Sequence, residues 1–248
     1  MTADTLTWLG HAGICLDLAG VRVLTDPVLR ARVGPLRRHG ALPRPETWQR
    51  PDVVLISHLH HDHLDLPSLR RIARDTTVVV PRGAGVLLPG WHDVREVGPG
   101  DEVRIDTLTI SAVPAHHPGD RLGTSVRSTA IGYLIEGGPT RIWFAGDTGL
   151  FPGLRELHGV VDLALVPVGG WGPTLGPGHL DPRQAAAVAA LVGARSAIPI
   201  HWGTLLLPGL RTVRPDLARE PGERFRFWAT QVGVDARLLS VGAVAAIP

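Results

Sequence analysis

The feature of this sequence that most constrains its fold is a histidine-rich cluster at residues 57–63 (SHLHHDH), which directly follows an apolar run. Side chains two residues apart in a strand point the same way, so His58 and His60 can offer their imidazoles to one metal ion. Asp62 and His63 then lie in the following turn, where they can hold a second ion. The alternative is a solvated histidine-rich turn, but the pattern favours a metal site at the end of a strand.

Three later apolar segments also stop where a potential ligand follows. They end at His116-His117, at Gly146-Asp147 and at His201. Any one of these residues is common at the end of a strand, but together they complete two coordination spheres. A carboxylate combined with imidazoles suits zinc, and manganese and iron are also compatible with such a site.

The hydrophobic pattern predicts a layered α/β or α+β protein, a single domain over residues 1–248 with sheet at its centre. Predicted strands cover residues 5–9, 14–18, 21–25, 53–56, 77–81, 103–105, 108–113, 130–136, 141–145, 162–168, 197–201 and 236–241. Predicted helices cover residues 66–74, 182–192 and 223–231. The proline- and arginine-rich stretch 27–51 lacks periodicity and is expected to be a long surface loop.

Composition excludes several other classes of protein. A single cysteine, Cys15, rules out an intrachain disulfide framework or a thiolate zinc finger. All 25 of the Lys and Arg residues are arginine, but the net charge of +2 gives little support for binding nucleic acid. No run approaches the ~18 apolar residues of a membrane span. The first residues lack the pattern of a signal peptide, so we expect a cytoplasmic protein with no membrane anchor.

The series His58-x-His60-x-Asp62-His63, His117, Asp147 and His201 resembles, in order, the ligand series of the metallo-β-lactamase superfamily. Shorter segments resemble one branch of it, which contains N-acyl-phosphatidylethanolamine phospholipase D and is similar to the L-ascorbate-6-phosphate lactonases. These segments are WLGHA at 8–12, LTDP at 24–27, ISH at 56–58, PAHH at 114–117 and IHWGT at 200–204.

The resemblance implies a four-layer αββα sandwich with a dinuclear metal site, two Zn²⁺, on one edge. Carried over by position, metal 1 takes His58, His60 and His117, metal 2 takes Asp62, His63 and His201, and Asp147 bridges the two. The branch pattern Pro-Ala-x-His places the ligand at His117 and leaves His116 in the pocket wall.

The resemblance also implies a reaction. Two ions roughly 3.5–4 Å apart make a bridging hydroxide near neutral pH, which attacks a carbonyl carbon or a phosphorus. Asp62 is expected to orient this hydroxide. His179, in a glycine-rich loop before a helix, is similar to a substrate-facing histidine of the branch and would donate a hydrogen bond to the anionic intermediate. The alternative for His179 is a solvated loop residue.

Further residues have two interpretations each. Trp171 either lines the pocket or packs in the core, and Asp26 either accepts a hydrogen bond from a ligand imidazole or caps a turn. The arginines of residues 27–51 could hold a phosphate, but a solvated loop is favoured. No role is assigned to His11, His92 and His158.

The function that these features predict is hydrolysis of a phosphodiester, a phosphate-bearing small molecule or a lactone by a dinuclear zinc enzyme. The expected partner is a small-molecule substrate, anionic in the phosphate case, and not a nucleic acid. A di-iron oxidoreductase is one alternative, although such proteins carry a carboxylate where this chain has His60. A non-catalytic metal-binding protein is another alternative. β-Lactamase activity is disfavoured, because zinc β-lactamases are exported and the first residues of this sequence lack the pattern of a signal peptide.

Overall fold

The structure is a computed structural model that describes residues 3–248. Its strands are β1 Thr5–Gly10, β2 Gly13–Leu18, β3 Val21–Thr25, β4 Arg32–Val33, β5 Leu36–Arg38, β6 Val53–Leu55, β7 Thr77–Pro81, β8 Val94–Val97, β9 Glu102–Ile105, β10 Leu108–Pro114, β11 Ile131–Glu136, β12 Arg141–Phe144, β13 Leu163–Pro167, β14 Ser196–Ile200, β15 Leu205–Leu206, β16 Asp235–Ala236 and β17 Val244–Ala246. Its α-helices are α1 Leu66–Leu69, α2 Pro182–Leu191, α3 Leu210–Val213 and α4 Glu220–Gln231. Short 3₁₀ turns lie at Pro45–Thr47, Gly85–Leu87, Pro152–Leu157 and Pro215–Ala218.

Two seven-stranded sheets form the centre of the fold. The first has the strand order β17-β1-β2-β3-β6-β7-β8, and the second has the order β16-β14-β13-β12-β11-β10-β9. In each sheet one half is antiparallel, while the other half, from β3 to β8 and from β12 to β16, is parallel. A small third sheet pairs β15, β5 and β4. The architecture is therefore mixed α/β with two central sheets, as the sequence predicted.

The apolar runs form central strands because both of their faces are buried. In β6, Val53 and Leu55 point into the core between the sheets, whereas Val54 points into a second cluster on the outer face of the first sheet. Because β6 is packed on both faces, its direction is fixed, and the residues that follow it lie at the edge of the sandwich.

The outer faces of the two sheets are covered differently. Helices α2 and α4 pack against each other and supply Ala185, Val188 and Phe225 to the cluster of the second sheet. Helix α2 begins at a capping box in which Asp181 and Gln184 bond each other's main-chain N–H groups. The first sheet is covered by α1, by 3₁₀ turns and by loops. No helix in residues 3–248 is both long enough and apolar enough to cross a membrane.

Several predicted elements differ from the structure. The predicted helix 66–74 is α-helical only over Leu66–Leu69, because the next N–H groups, of Arg71 and Ile72, bond carbonyls three residues back and form tight turns. The predicted surface loop 27–51 instead contains β4 and β5. Its residues Val33 and Leu36 pack against β15, and the prolines and arginines around them hide this apolar pattern in the sequence.

The last predicted strand, 236–241, was also wrong in extent. Strand β16 is limited to Asp235–Ala236, and the chain then crosses to the first sheet, where β17 pairs with β1. A chain that changes sheets cannot continue one ladder. Strand β8 was missed by the sequence analysis, since it lies at a sheet edge and has only one buried residue, Val97.

Candidate metal centre

The candidate ligands follow the ends of strands in both sheets and meet at one edge of the sandwich. Residues 58–63 follow β6, His117 follows β10, Asp147 follows β12, and His201 follows β14. The carboxyl ends of parallel strands leave a crevice at such an edge, and ligands bind there in open α/β sheets. The backbone folds closely at this edge because Gly146 adopts φ +60° beside the side chain of Ser57.

His58, His60 and His117 form the first group of nitrogens, whose candidate ligand atoms lie within 4.8 Å of one another. The Nδ1–H of His117 donates to the Gly178 carbonyl at 2.9 Å, so the neutral ring turns a free Nε2 toward Nδ1 of His60, 3.1 Å away. The Ser57 hydroxyl donates to Asp26 and accepts from Nδ1 of His58 at 3.0 Å. These bonds leave the Nε2 lone pair of His58 directed into the group.

Asp62, His63 and His201 form the second group, and a ring nitrogen of His11 lies within the same 4.8 Å of their ligand atoms. Nδ1–H of His63 donates to Asp26 at 2.7 Å, and Nδ1–H of His201 donates to the Gly169 carbonyl at 2.9 Å. Their Nε2 atoms therefore face each other at 3.1 Å. Asp62 Oδ2 lies 3.8 Å from Nε2 of His201 and 4.0 Å from Nε2 of His63.

Asp147 lies between the two groups. Its Oδ2 is 3.2 Å from Nε2 of His201, 3.3 Å from Nε2 of His63 and 3.9 Å from Nε2 of His117. Its Oδ1 and the Nε2 of His58 are buried and have no hydrogen-bond partner within residues 3–248. Buried polar atoms are normally paired, and imidazole with carboxylate is a typical donor set for zinc. The residues therefore fit two transition-metal ions.

The charges of the buried groups at the centre also favour the binding of cations. Burial lowers the pKa of His58, with help from His63, and lowers that of His117 to about 4, so both rings are neutral. Burial opposes the charge of Asp147, but His201 and His63 hold the pKa of this carboxyl well below its usual range. Burial likewise opposes the charge on His63, yet Asp147 and then Asp26 raise its pKa well above the usual value. The buried carboxylates thus draw a positive charge to the position of His63.

Asp26 bonds the residues that carry the first and the second group. It is fully buried, and it accepts hydrogen bonds from the Ser57 main chain, from the Ser57 hydroxyl and from His63. Carboxylates that bond the far nitrogen of a ligand histidine hold its tautomer and its ring orientation. Of the two interpretations from the sequence, the structure supports the acceptor for an imidazole N–H.

His179 is at the mouth of the centre. Its Nδ1–H donates to the Gly176 carbonyl at 3.1 Å, and its Nε2 lies 3.5 Å from Asp147 Oδ2. Its side chain is 20% exposed, so it borders both solvent and the buried ligands. His116, in contrast, points away: its side chain is exposed and stacks on Phe151.

Two residues of the centre were missed by the sequence analysis. His11, to which no role was assigned, is 1% exposed, and its Nε2 lies 3.0 Å from Asp62 Oδ2. Burial lowers its pKa to about 3, so its ring is neutral. Arg121 donates to the carbonyls of Leu59 and Leu64 and thereby braces the loop of the histidine cluster. A histidine in a glycine-flanked turn was a usable signal for His11, whereas nothing local marks Arg121.

A groove with a volume of 920 Å³ opens beside the centre. His60 and Asp62 lie in its wall, and Trp171 lines it, as one of the two sequence interpretations predicted. Its apolar wall comes from Val33, Pro35, Leu36, Pro118 and Leu122.

The arginines of residues 27–51 have structural contacts where they approach the core. Arg30 pairs with Asp65, and Arg38 donates to main-chain carbonyls of Leu9, Val28 and Arg30. His92 and His158 are exposed and lie outside the described groups of candidate ligands, in keeping with the absence of a role for them in the sequence analysis.

The fold and the site together define a metallohydrolase sandwich. The chain belongs to the family described as the Beta-lactamase superfamily domain, whose model matches residues 21–202. Relatives of the chain in this family are named metal-dependent hydrolases.

Two relatives and one solved structure illustrate the match. N-acyl-phosphatidylethanolamine-hydrolyzing phospholipase D 1 of Caenorhabditis elegans is 34% identical over 226 residues, which cover 80% of this chain and 63% of that protein. A UPF0173 metal-dependent hydrolase of Methanopyrus kandleri is 30% identical over 246 residues, 94% of this chain and 95% of the relative. Igni18, a metallo hydrolase of Ignicoccus hospitalis, shares the fold with a TM-score of 0.75 at 21% identity, covering 100% of this chain and 99% of that one. The chain therefore spans less than two thirds of the phospholipase.

Proposed function

We propose that this protein binds two transition-metal ions, zinc in the first instance, and hydrolyses a phosphodiester, a phosphate-bearing small molecule or a lactone. The observation that carries the proposal is that Asp147 Oδ2 lies 3.2–3.9 Å from nitrogens of His63, His117 and His201, and so joins buried or half-buried candidate ligands on both sides of it. Bound there, two ions supply Lewis-acid chemistry and an ionised water at neutral pH. The Caenorhabditis relative, named as a phospholipase D, supports phosphodiesters as the first class to test.

The chain's own residues would act around the reacting group. Asp62 opens onto the groove; burial opposes its charge, but the hydrogen bond from His11 and the nearby His201 ring hold the pKa of this carboxyl well below its usual range, so it is ionised. An acceptor in this position can orient an attacking water. His179 has one nitrogen bonded to Gly176 and presents the other, Nε2, at the mouth. A proton on that Nε2 would be donated to the oxygen on which negative charge develops.

The groove supports a substrate with an apolar substituent next to the bond that is cleaved. Small-molecule sites combine a mostly apolar wall with a few polar groups, and this groove joins an apolar wall to His60 and Asp62. Leu122 is 84% exposed and Trp171 is 44% exposed, so an alkyl or acyl group lying between them would remove apolar surface from water.

A matched series of substrates tests this function. Protein loaded with zinc would be assayed on phosphodiesters and on lactones whose substituent grows from methyl to octyl. We expect kcat/KM to rise by up to roughly 4-fold for each methylene until the groove is filled, since a buried methylene is worth ≈ 0.8 kcal/mol. No hydrolysis of either class by protein that holds two ions would overturn the proposal.

Substitutions in the groove test where the alkyl substituent of the substrate binds. Leu122→Ser should lower kcat/KM for the octyl substrate and leave the methyl substrate nearly unchanged. Val213→Ser is the matched control, because Val213 is 70% exposed in α3 and does not line the groove. The same preparations distinguish the alternatives: oxygen consumption by iron-loaded protein would favour an oxidoreductase, and binding of metal without any turnover would favour a non-catalytic protein.

A further inference from the structure

His11 occupies a backbone position that its surroundings must enforce. It lies in the turn between β1 and β2 with φ +55°, and Gly10 before it has φ +92°. The side chain is 1% exposed. Left-handed conformations in residues other than glycine persist where the surrounding structure over-determines them, and they are concentrated at functional sites.

The main chain of His11 is bonded on both sides to the loop that carries His201. Its N–H donates to Oγ1 of Thr204 at 2.8 Å, and its carbonyl accepts from the His201 N–H at 2.9 Å and from the Trp8 indole at 3.0 Å. Trp8 also stacks on Trp202, with ring centroids 5.3 Å apart. His201 itself has φ +62°. The two left-handed residues therefore hold each other in place.

The side chain of His11 contacts the second group of candidate ligands. Nε2 lies 3.0 Å from Asp62 Oδ2, which is hydrogen-bond distance for an imidazole N–H that donates to a carboxylate oxygen. The His11 ring also lies 4.0 Å from the ring of His201, centroid to centroid. When Nε2 carries the proton that is donated to Asp62, this nitrogen has no lone pair with which to bind an ion.

We propose that His11 is a positioning residue for the second ion: it orients Asp62 through its side chain and His201 through its main chain without being a ligand. This inference rests on the proposed function only in that it requires two bound ions. Residues that hydrogen-bond to a metal ligand without contacting the ion typically change the metal affinity 10–100-fold when they are removed. His11 is unusual in serving two ligands that come from different sheets.

A pair of substitutions tests the inference. His11→Gln places an amide nitrogen near the position of Nε2 and keeps the donor, whereas His11→Leu removes the donor and keeps an apolar bulk. Affinity for each ion would be measured by competition with a chromophoric chelator, and Co²⁺ spectra would report the geometry of the second site. We expect His11→Leu to weaken the second ion by roughly 10–100-fold and the first ion by only a few-fold. His11→Gln should stay within a few-fold of the natural protein for both.

Two outcomes would overturn the inference. Unchanged affinity for the second ion in His11→Leu would leave His11 without influence on it, and an equal loss in both variants would make His11 a ligand or a packing residue. If His11→Leu does not fold, Thr204→Val and Thr204→Ser take its place, and only the valine should weaken the second ion. His92→Leu, at an exposed histidine, is the control. A natural protein that binds no metal would instead contradict the proposed function.

Discussion

The Nε2 atoms of His63 and His201 lie 3.1 Å apart in the buried centre, while the Nδ1 atoms of both rings donate elsewhere. Two neutral rings in this arrangement would bring two lone pairs together. A proton or a metal ion must therefore separate them, and the carboxylate of Asp147, 3.3 Å and 3.2 Å from these nitrogens, favours either cation. The position between these nitrogens therefore suits a metal ion.

Metal binding should release protons near neutral pH. Asp147 and Asp26 outweigh burial and raise the pKa of His63 well above 6.5, so its ring is charged at pH 7 before metal binds. Ligation through Nε2 requires loss of that proton, and affinity should therefore increase as pH rises from 6 toward 8. Calorimetry in buffers of different ionisation enthalpy should show about one proton released from His63 per chain, in addition to any from bound water.

The control for proton release is Asp26→Asn. Without the Asp26 charge the pKa of His63 should fall, so fewer protons should be released than from the natural protein. Equal release from both proteins would show that His63 is not the group that titrates.

Two adjacent histidines should differ sharply in their effect on metal content. His117→Ala removes one of the three nitrogens of the first group, and we expect a loss of one ion per chain and of activity. His116→Ala should retain both ions, because its side chain stacks on Phe151 outside the centre. Metal analysis after gel filtration compares the two. Loss of metal from His116→Ala alone would contradict the placement of the strand end.

His179→Ala should separate catalysis from metal binding. Its Nε2 lies 3.5 Å from Asp147 Oδ2 at the mouth of the centre, and the family resemblance gives it a substrate-facing role and not that of a ligand. We expect both ions to remain and the Tm to stay near that of the natural protein, while kcat falls by roughly 10²-fold or more, the usual loss for one donor to developing charge. The change in KM should be smaller. An unchanged kcat would make His179 a loop residue, and loss of metal would make it a ligand.

Gly146→Ala should damage the centre through the backbone. A Cβ at Gly146 would lie 2.5 Å from the Cβ of Ser57, which is anchored to Asp26, and φ there is +60°. Gly20→Ala is the matched control, with φ +85° and open space around the new Cβ. The control should lose about 1–2 kcal/mol from the left-handed backbone alone, and Gly146→Ala a further 1–3 kcal/mol or so from the clash. Urea unfolding measures both, and equal losses would show that the clash relaxes.

The sequence predicted most strands, because strands depend on local patterns, whereas the division of the candidate ligands between two ions was implied by the family resemblance and stays a prediction. A short continuous apolar run followed by His58 and His60 indicates the end of a strand without any knowledge of the partner strands. The residues that it missed act over long distances. Arg121 is more than fifty residues from the loop that it braces, and His11 reaches Asp62 only when the sheets are assembled. Strands β4 and β5, in the arginine- and proline-rich stretch 27–51, were hidden for the same reason, since the apolar partner of β5 is β15.

The central claim is that each chain holds two metal ions in the groups that share Asp147. The most direct measurement is elemental analysis of protein that has been reconstituted with excess zinc and then desalted. The account predicts close to two ions per natural chain, near one in His117→Ala, and removal of hydrolysis by a chelator. At most a trace of metal in the folded natural protein would contradict the account.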